Sequence, residues 1–150
     1  CALPMATPDM PVCDEWVAEI ARVVERESGK GDEIILVGHS LGVCAILRYL
    51  EGAMSDVALE GAVLVSGPFE SIGKSKIENF LDRPFDFAKI KPKIGKVAII
   101  HGDNDPNVPP AHAEKFAEVF GVPVTWVANG GHLDGQSGWH TLPECLDAIM

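Results

Sequence analysis

Glu33-Ile34-Ile35-Leu36-Val37-Gly38-His39-Ser40-Leu41-Gly42 decides the fold. Five strand-forming residues, Glu33–Val37, run directly into Gly-x-Ser-x-Gly, and a helical pattern starts at once from Leu41. A strand, a tight turn and a helix in that order place a serine at the apex of a strained turn, with its hydroxyl above the sheet. The flanking glycines are expected because a side chain on either side would collide with the neighbouring strand or helix. Ser40 is therefore the candidate nucleophile.

Outward from this stretch, apolar runs alternate with amphipathic ones. Val17, Ile20, Ala21 and Val24 recur at helical spacing and Gly29 stops the pattern, which predicts a helix over Asp14–Ser28. A second helix is predicted over Leu41–Glu51, ended by Gly52. Ala62–Ser66 and Val97–His101 are continuous apolar runs, as in strands covered on both faces. Further along, a helix over Pro110–Phe120, a strand over Val122–Val127 and a last helix with Leu142, Cys145, Leu146 and Ile149 on one stripe complete the series. Ala2–Thr7 reads as an edge strand or an extended lead-in. The alternation predicts a three-layer α/β domain, a parallel sheet with helices on both faces.

The chain has 150 residues, a length that suits one domain with a real core. It carries a net charge of −10, and an acidic surface repels phosphate backbones and anionic lipid. Nucleic acid and membrane are poor partners on that ground, and no apolar run approaches the length of a membrane span. Cysteines at 1, 13, 44 and 145 have no metal-ligand spacing, so neither zinc nor a disulfide framework is expected. Cys44 and Cys145 read as small apolar residues on helix faces, consistent with a reducing cytoplasm. The chain opens on Cys1 and is read as beginning at a cut end.

A serine hydroxyl needs a base, and a histidine base needs an acid to fix its tautomer. The strand Val97–His101 is followed by Gly102-Asp103-Asn104-Asp105-Pro106-Asn107-Val108-Pro109, with two aspartates in competition. Asp105, locked by Pro106, is favoured as the acid, and Asp103 reads as a turn residue bonded to its own backbone. The strand Val122–Val127 ends in Ala128-Asn129-Gly130-Gly131-His132, whose glycines let the loop carry His132 back over the sheet. Of the other histidines, His39 is expected to pack or bond locally, His101 to be structural, His112 to be exposed at a helix start, and His140 to precede the last helix. Ser, Asp and His thus follow one another at three strand ends, where parallel sheets present their ligands.

Five segments taken together carry a resemblance. They are Pro8-Asp9-Met10-Pro11 before a Trp-bearing helix, Gly38-His39-Ser40-Leu41-Gly42, Arg83-Pro84-Phe85-Asp86-Phe87-Ala88-Lys89-Ile90-Lys91, and Asp105-Pro106 with Val108-Pro109 followed by Gly131-His132. The chain resembles the small α/β-hydrolase-fold serine hydrolases typified by retinoblastoma-binding protein nine and the YdeN-like proteins, and the likeness spans nearly its whole length. The resemblance implies Ser40 as nucleophile, Asp105 as acid and His132 as base. It also implies hydrolysis of small carboxylic esters, amides or thioesters without metal or cofactor, the Leu41 N–H serving as an oxyanion donor, and a flavodoxin-like strand order. In that family a strand, a Gly-rich loop and a helix precede the segment matching Ala2–Pro11, and the chain departs from the pattern by lacking them. The departure predicts an unpaired side on the Glu33–Val37 strand, or Ala2–Thr7 moved in beside it. The loop would supply the second oxyanion donor, whose loss costs about 10²–10³ in rate.

Phe69, Phe80, Phe85 and Phe87 lie between strands, and Trp139 is near His132 in sequence. Phe69, Phe85, Phe87 and Trp139 are candidates for the wall of an acyl pocket, with core packing as the simpler alternative. Gly73-Lys74-Ser75 lacks the first glycine of a phosphate loop, since position 68 is Pro68. Two other functions stay open on the sequence: an interaction module of this fold without turnover, and acyl transfer to an acceptor other than water.

Overall fold

The computed structural model describes residues 1–54 and 56–150. Its elements are α1 (Cys13–Ser28), β1 (Ile35–His39), α2 (Leu41–Gly52), β2 (Leu59–Val65), α3 (Glu78–Leu81), α4 (Phe87–Ile90), β3 (Ile94–Gly102), α5 (Ala111–Phe120), β4 (Val124–Val127) and α6 (Pro143–Ile149). Each predicted helix and strand from Asp14 onward is present, with ends shifted by a few residues. β3 is longer than its apolar run because Ile94 and Lys96 also pair with β2.

The four strands are all parallel, in the order β1-β2-β3-β4. Ala2–Thr7 forms no strand. The segment is an extended lead-in, tied down where the Trp16 indole donates to the Ala6 carbonyl at 2.7 Å. Among the described residues β1 therefore pairs with β2 alone and has one open side.

The two faces of the sheet are covered unequally. One carries α1, α2 and α5 over a core that includes Ile20, Leu47, Leu64, Phe80 and Phe116. The other is covered by α6 and the loop before it, where Trp139, Leu142 and Cys145 pack on Val63, Val65 and Ile100. Val37 shares this second face with Ile35 by strand alternation, and it is 52% exposed.

α2 is buried from Val43 to Leu50, and that run includes the charged Arg48. Arg48 is satisfied on all sides. It donates to the carbonyls of Phe80, Pro84 and Arg83, pairs with both Glu51 carboxylate oxygens at 3.0 Å, and lies 4.2 Å above the Phe85 ring. Glu51 also accepts from the Asp86 N–H at 2.7 Å and from Arg83 at 2.9 Å. Burial pushes the Glu51 carboxyl up, but these bonds and charges outweigh it and hold it below its ordinary value. The Arg83-Pro84-Phe85 segment is thus a clamp around a helix-borne guanidinium.

Candidate active site

Ser40 stands at the junction of β1 and α2 with φ 53° and ψ −118°, a conformation that L-residues rarely adopt. Its own N–H continues the sheet ladder by donating to Val65 C=O at 2.8 Å. The turn is tight enough that a Cβ at Gly38 would lie 2.8 Å from the backbone of Gly42 and from Ile46 Cδ1. Gly42 departs from expectation: a Cβ there would meet nothing within 4 Å, because Gly42 faces the groove beside β1. Only the first glycine of the motif is required by contact.

A chain of hydrogen bonds runs away from Ser40. His132 Nε2 is 2.9 Å from Ser40 Oγ, and His132 Nδ1 is 2.8 Å from Asp105 Oδ2. An ionised carboxylate can only accept, so Nδ1 carries the proton and Nε2 is left to accept from the serine hydroxyl. Asp105 Oδ1 is held by the N–H groups of Asn107 at 2.8 Å and Val108 at 2.9 Å. Asp105 is 6% exposed and His132 7%. Burial pushes the Asp105 carboxyl up, while the bonds from His132, Val108 and Asn107 outweigh it and keep it below its ordinary value.

Asp105 and His132, 27 positions apart in the chain, meet because the two loops that carry them are stitched together. Asp103 Oδ1 accepts from the Asn129 N–H, and Asn104 Oδ1 accepts from the Gly131 N–H, both at 2.8 Å. Asp103 is therefore not a turn residue bonded to its own backbone; its carboxylate reaches across to the loop that carries His132. The approach is close enough that a Cβ on Gly102 would lie 2.1 Å from the Gly131 carbonyl oxygen. Gly131 itself has φ 58°.

The remaining histidines have distinct partners. His39 is exposed, and its Nε2–H donates to the His132 carbonyl at 2.7 Å, with the two rings 4.9 Å apart. Its contact is long-range, joining the elbow to the loop that carries His132. Although the residue as a whole is exposed, its ring is partly desolvated against His132, and this pushes the imidazole below its ordinary value. His112 is buried rather than exposed, since the first turn of α5 faces residues 67–69 and its Nδ1 accepts from the Phe69 N–H at 2.9 Å. Motif spacing could not reveal either contact, because both depend on how loops fold back over the sheet.

The four candidate pocket aromatics do not form one wall. Phe69 stacks on Phe87 at 5.5 Å, Phe87 lies 5.9 Å from Phe85, and Phe85 is buried beneath Arg48. Trp139 packs on the opposite face of the sheet, against the Val63 and Val65 cluster. Phe85 is core, Phe69 and Phe87 are half-buried, and Trp139 belongs to a different layer. Cys44 is likewise core, its thiol pushed up to about 12 by burial. A groove of about 950 Å³ follows the open side of β1, between Leu3, Ile20, Val23 and Ile46, and ends at Gly38 and His39.

A parallel sheet with a strained serine between strand and helix defines an α/β-hydrolase fold. The model of the serine hydrolase family matches residues 3–150, and the chain belongs to that family. It is 29% identical over 148 residues to YdeN of Bacillus subtilis (strain 168), a protein named as a hydrolase, covering 98% of this chain and 76% of YdeN. The crystal structure of the B. subtilis ydeN gene product superposes with a TM-score of 0.88 over 98% of this chain and 78% of that one. A YdeN-like protein from Pectobacterium atrosepticum shares the fold at 19% identity, with a TM-score of 0.71 over 98% of this chain and 72% of that one. No helix of the described residues is long and apolar enough to cross a membrane.

Proposed function

We propose that this serine hydrolase cleaves small carboxylic esters, with amides or thioesters as neighbouring substrates, through an acyl-enzyme on Ser40. The observation that carries the reading is the continuous relay from Ser40 Oγ through His132 to Asp105, at 2.9 and 2.8 Å. Ser40 Oγ attacks the carbonyl carbon while its proton passes to His132 Nε2. The imidazolium so formed is stabilised by Asp105, whose other oxygen is already bonded and so has little freedom to turn. Collapse of the tetrahedral intermediate expels the alcohol, which takes the proton from Nε2. Water then repeats the sequence on the acyl group and releases the acid.

Leu41 is the first residue of α2, so its N–H lacks an intrahelical acceptor and is free to donate to the developing oxyanion. The positive end of the helix supports the same charge. No step calls for a metal or cofactor.

Labelling with a fluorophosphonate probe tests the reading, with hydrolysis of p-nitrophenyl esters as the second measurement. Wild-type protein is expected to label and turn over, and Ser40→Ala to do neither while unfolding at the same denaturant concentration. A folded wild-type protein that fails to label would instead favour an interaction module of the same fold.

A further inference from the structure

His101 lies on β3 directly behind the acid, and nothing in the relay itself uses it. It is 1% exposed. Its Nε2 is 2.9 Å from the Val108 carbonyl oxygen and 3.5 Å from Asp105 Oδ2. A carbonyl can only accept, so this nitrogen carries a proton and donates. Val108 is the same residue whose N–H holds Asp105 Oδ1. The backbone of one residue, Val108, is therefore gripped on one side by the carboxylate through its N–H and on the other by His101 through its C=O.

The surroundings make this contact a strut. β3 is paired on both sides, with β2 and β4, and is a rigid base for the loop 103–109. That loop contains Pro106 and Pro109, which have no N–H to give to ties of their own. The ring of His101 is held in turn by Trp126, its cross-strand partner on β4, edge-on at 6.1 Å between ring centres. An imidazole buried this deeply is costly unless its polar atoms are used. An aliphatic residue would fill the space at no such cost.

We propose that His101 is a positioning residue for Asp105. Its Nε2–H tethers the Val108 carbonyl to β3 and so keeps Oδ2 aligned with His132 Nδ1. The proposal rests on the reading of Ser40, Asp105 and His132 given above, but it concerns the placement of the carboxylate and can be measured without turnover.

The test compares His101→Gln, whose amide can reach the Val108 carbonyl, with His101→Leu, which has no donor. Steady-state kinetics on a p-nitrophenyl ester is one readout. The other is the strongly deshielded NMR resonance of the ring proton shared by His132 and Asp105. His101→Leu is expected to lower kcat about 10²-fold with KM little changed, as for a small misplacement of a reacting group. It is also expected to broaden or lose the resonance, whereas His101→Gln recovers most of the rate and keeps the signal. If the leucine variant does not fold, His101→Asn, too short to reach Val108, takes its place with the same expectation. A donor-less variant with unchanged kcat and an intact resonance would overturn the proposal, as would leucine and glutamine variants impaired equally. Should wild-type protein fail to label at Ser40, the hydrolytic reading falls, yet the resonance in the two variants still decides the role of His101.

Discussion

Two serines occupy left-handed backbone positions at adjacent strand ends, and they differ in what they gain from it. Ser40, at φ 53°, has a hydroxyl bonded to His132. Ser66, at φ 48°, follows β2 next to it, is 0% exposed, and has a hydroxyl with no partner among the described residues. Such strain costs about 1–3 kcal/mol per residue and persists where the surroundings enforce it. An unpaired buried hydroxyl adds a desolvation cost of about 1–3 kcal/mol. Replacing it leaves nothing unsatisfied, so Ser66→Ala is expected to be neutral or to raise stability by up to about 1 kcal/mol, read from urea unfolding. Residue identity made Ser40 legible from the sequence because its glycines, strand and helix all agreed. Asp105 and His132 were legible for a similar reason, each lying just past a strand end. His39, Asp103 and His112 were not, because their partners lie 93, 26 and 43 positions away and are set by loop paths rather than by local pattern.

At the scale of elements, apolar spacing reports burial directly, so periodicity places the helices and strands from Asp14 onward except α3 and α4, whose four residues each are too short to show a period. It could not say why α2 tolerates an arginine on a face that is buried from end to end. The answer lies in the segment between strands, where three carbonyls converge on Arg48 while Glu51 supplies the counter-charge. The same contact explains why aromatic content there was a poor guide to a pocket: Phe85 is held under the guanidinium and Phe87 is enclosed by Phe69, Phe116 and Phe120. Removing one member of a buried ion pair strands the other. Glu51→Ala is expected to destabilise the protein by about 3 kcal/mol, read as a lower urea midpoint with unchanged slope. Because α2 begins at Leu41, the same change should loosen the far end of the helix that carries the elbow.

Across the whole molecule, the sheet is not equally anchored. β2 and β3 are paired on both sides, whereas β1 carries Ser40 and is paired on one. The ladder bonds from Ser40 N–H to Val65 and from Glu60 N–H to the Ile34 carbonyl fix which groups of β1 face its neighbour. By alternation the N–H groups of Ile35, Val37 and His39 point the other way, toward the groove. Amide exchange in deuterated solvent is therefore expected to be uneven along one strand. Ile35, Val37 and His39 should exchange far faster than Leu36 and Gly38, while the amides of β2 and β3 wait for global unfolding. Equal protection at alternate positions of β1 would show that its open side is covered in solution. The consequence for the chemistry is one of timing: the nucleophile rides on a border strand, where local openings are expected to come more often than in β2 and β3. The lifetime of the assembled site is then expected to follow the breathing of that border rather than the stability of the sheet as a whole.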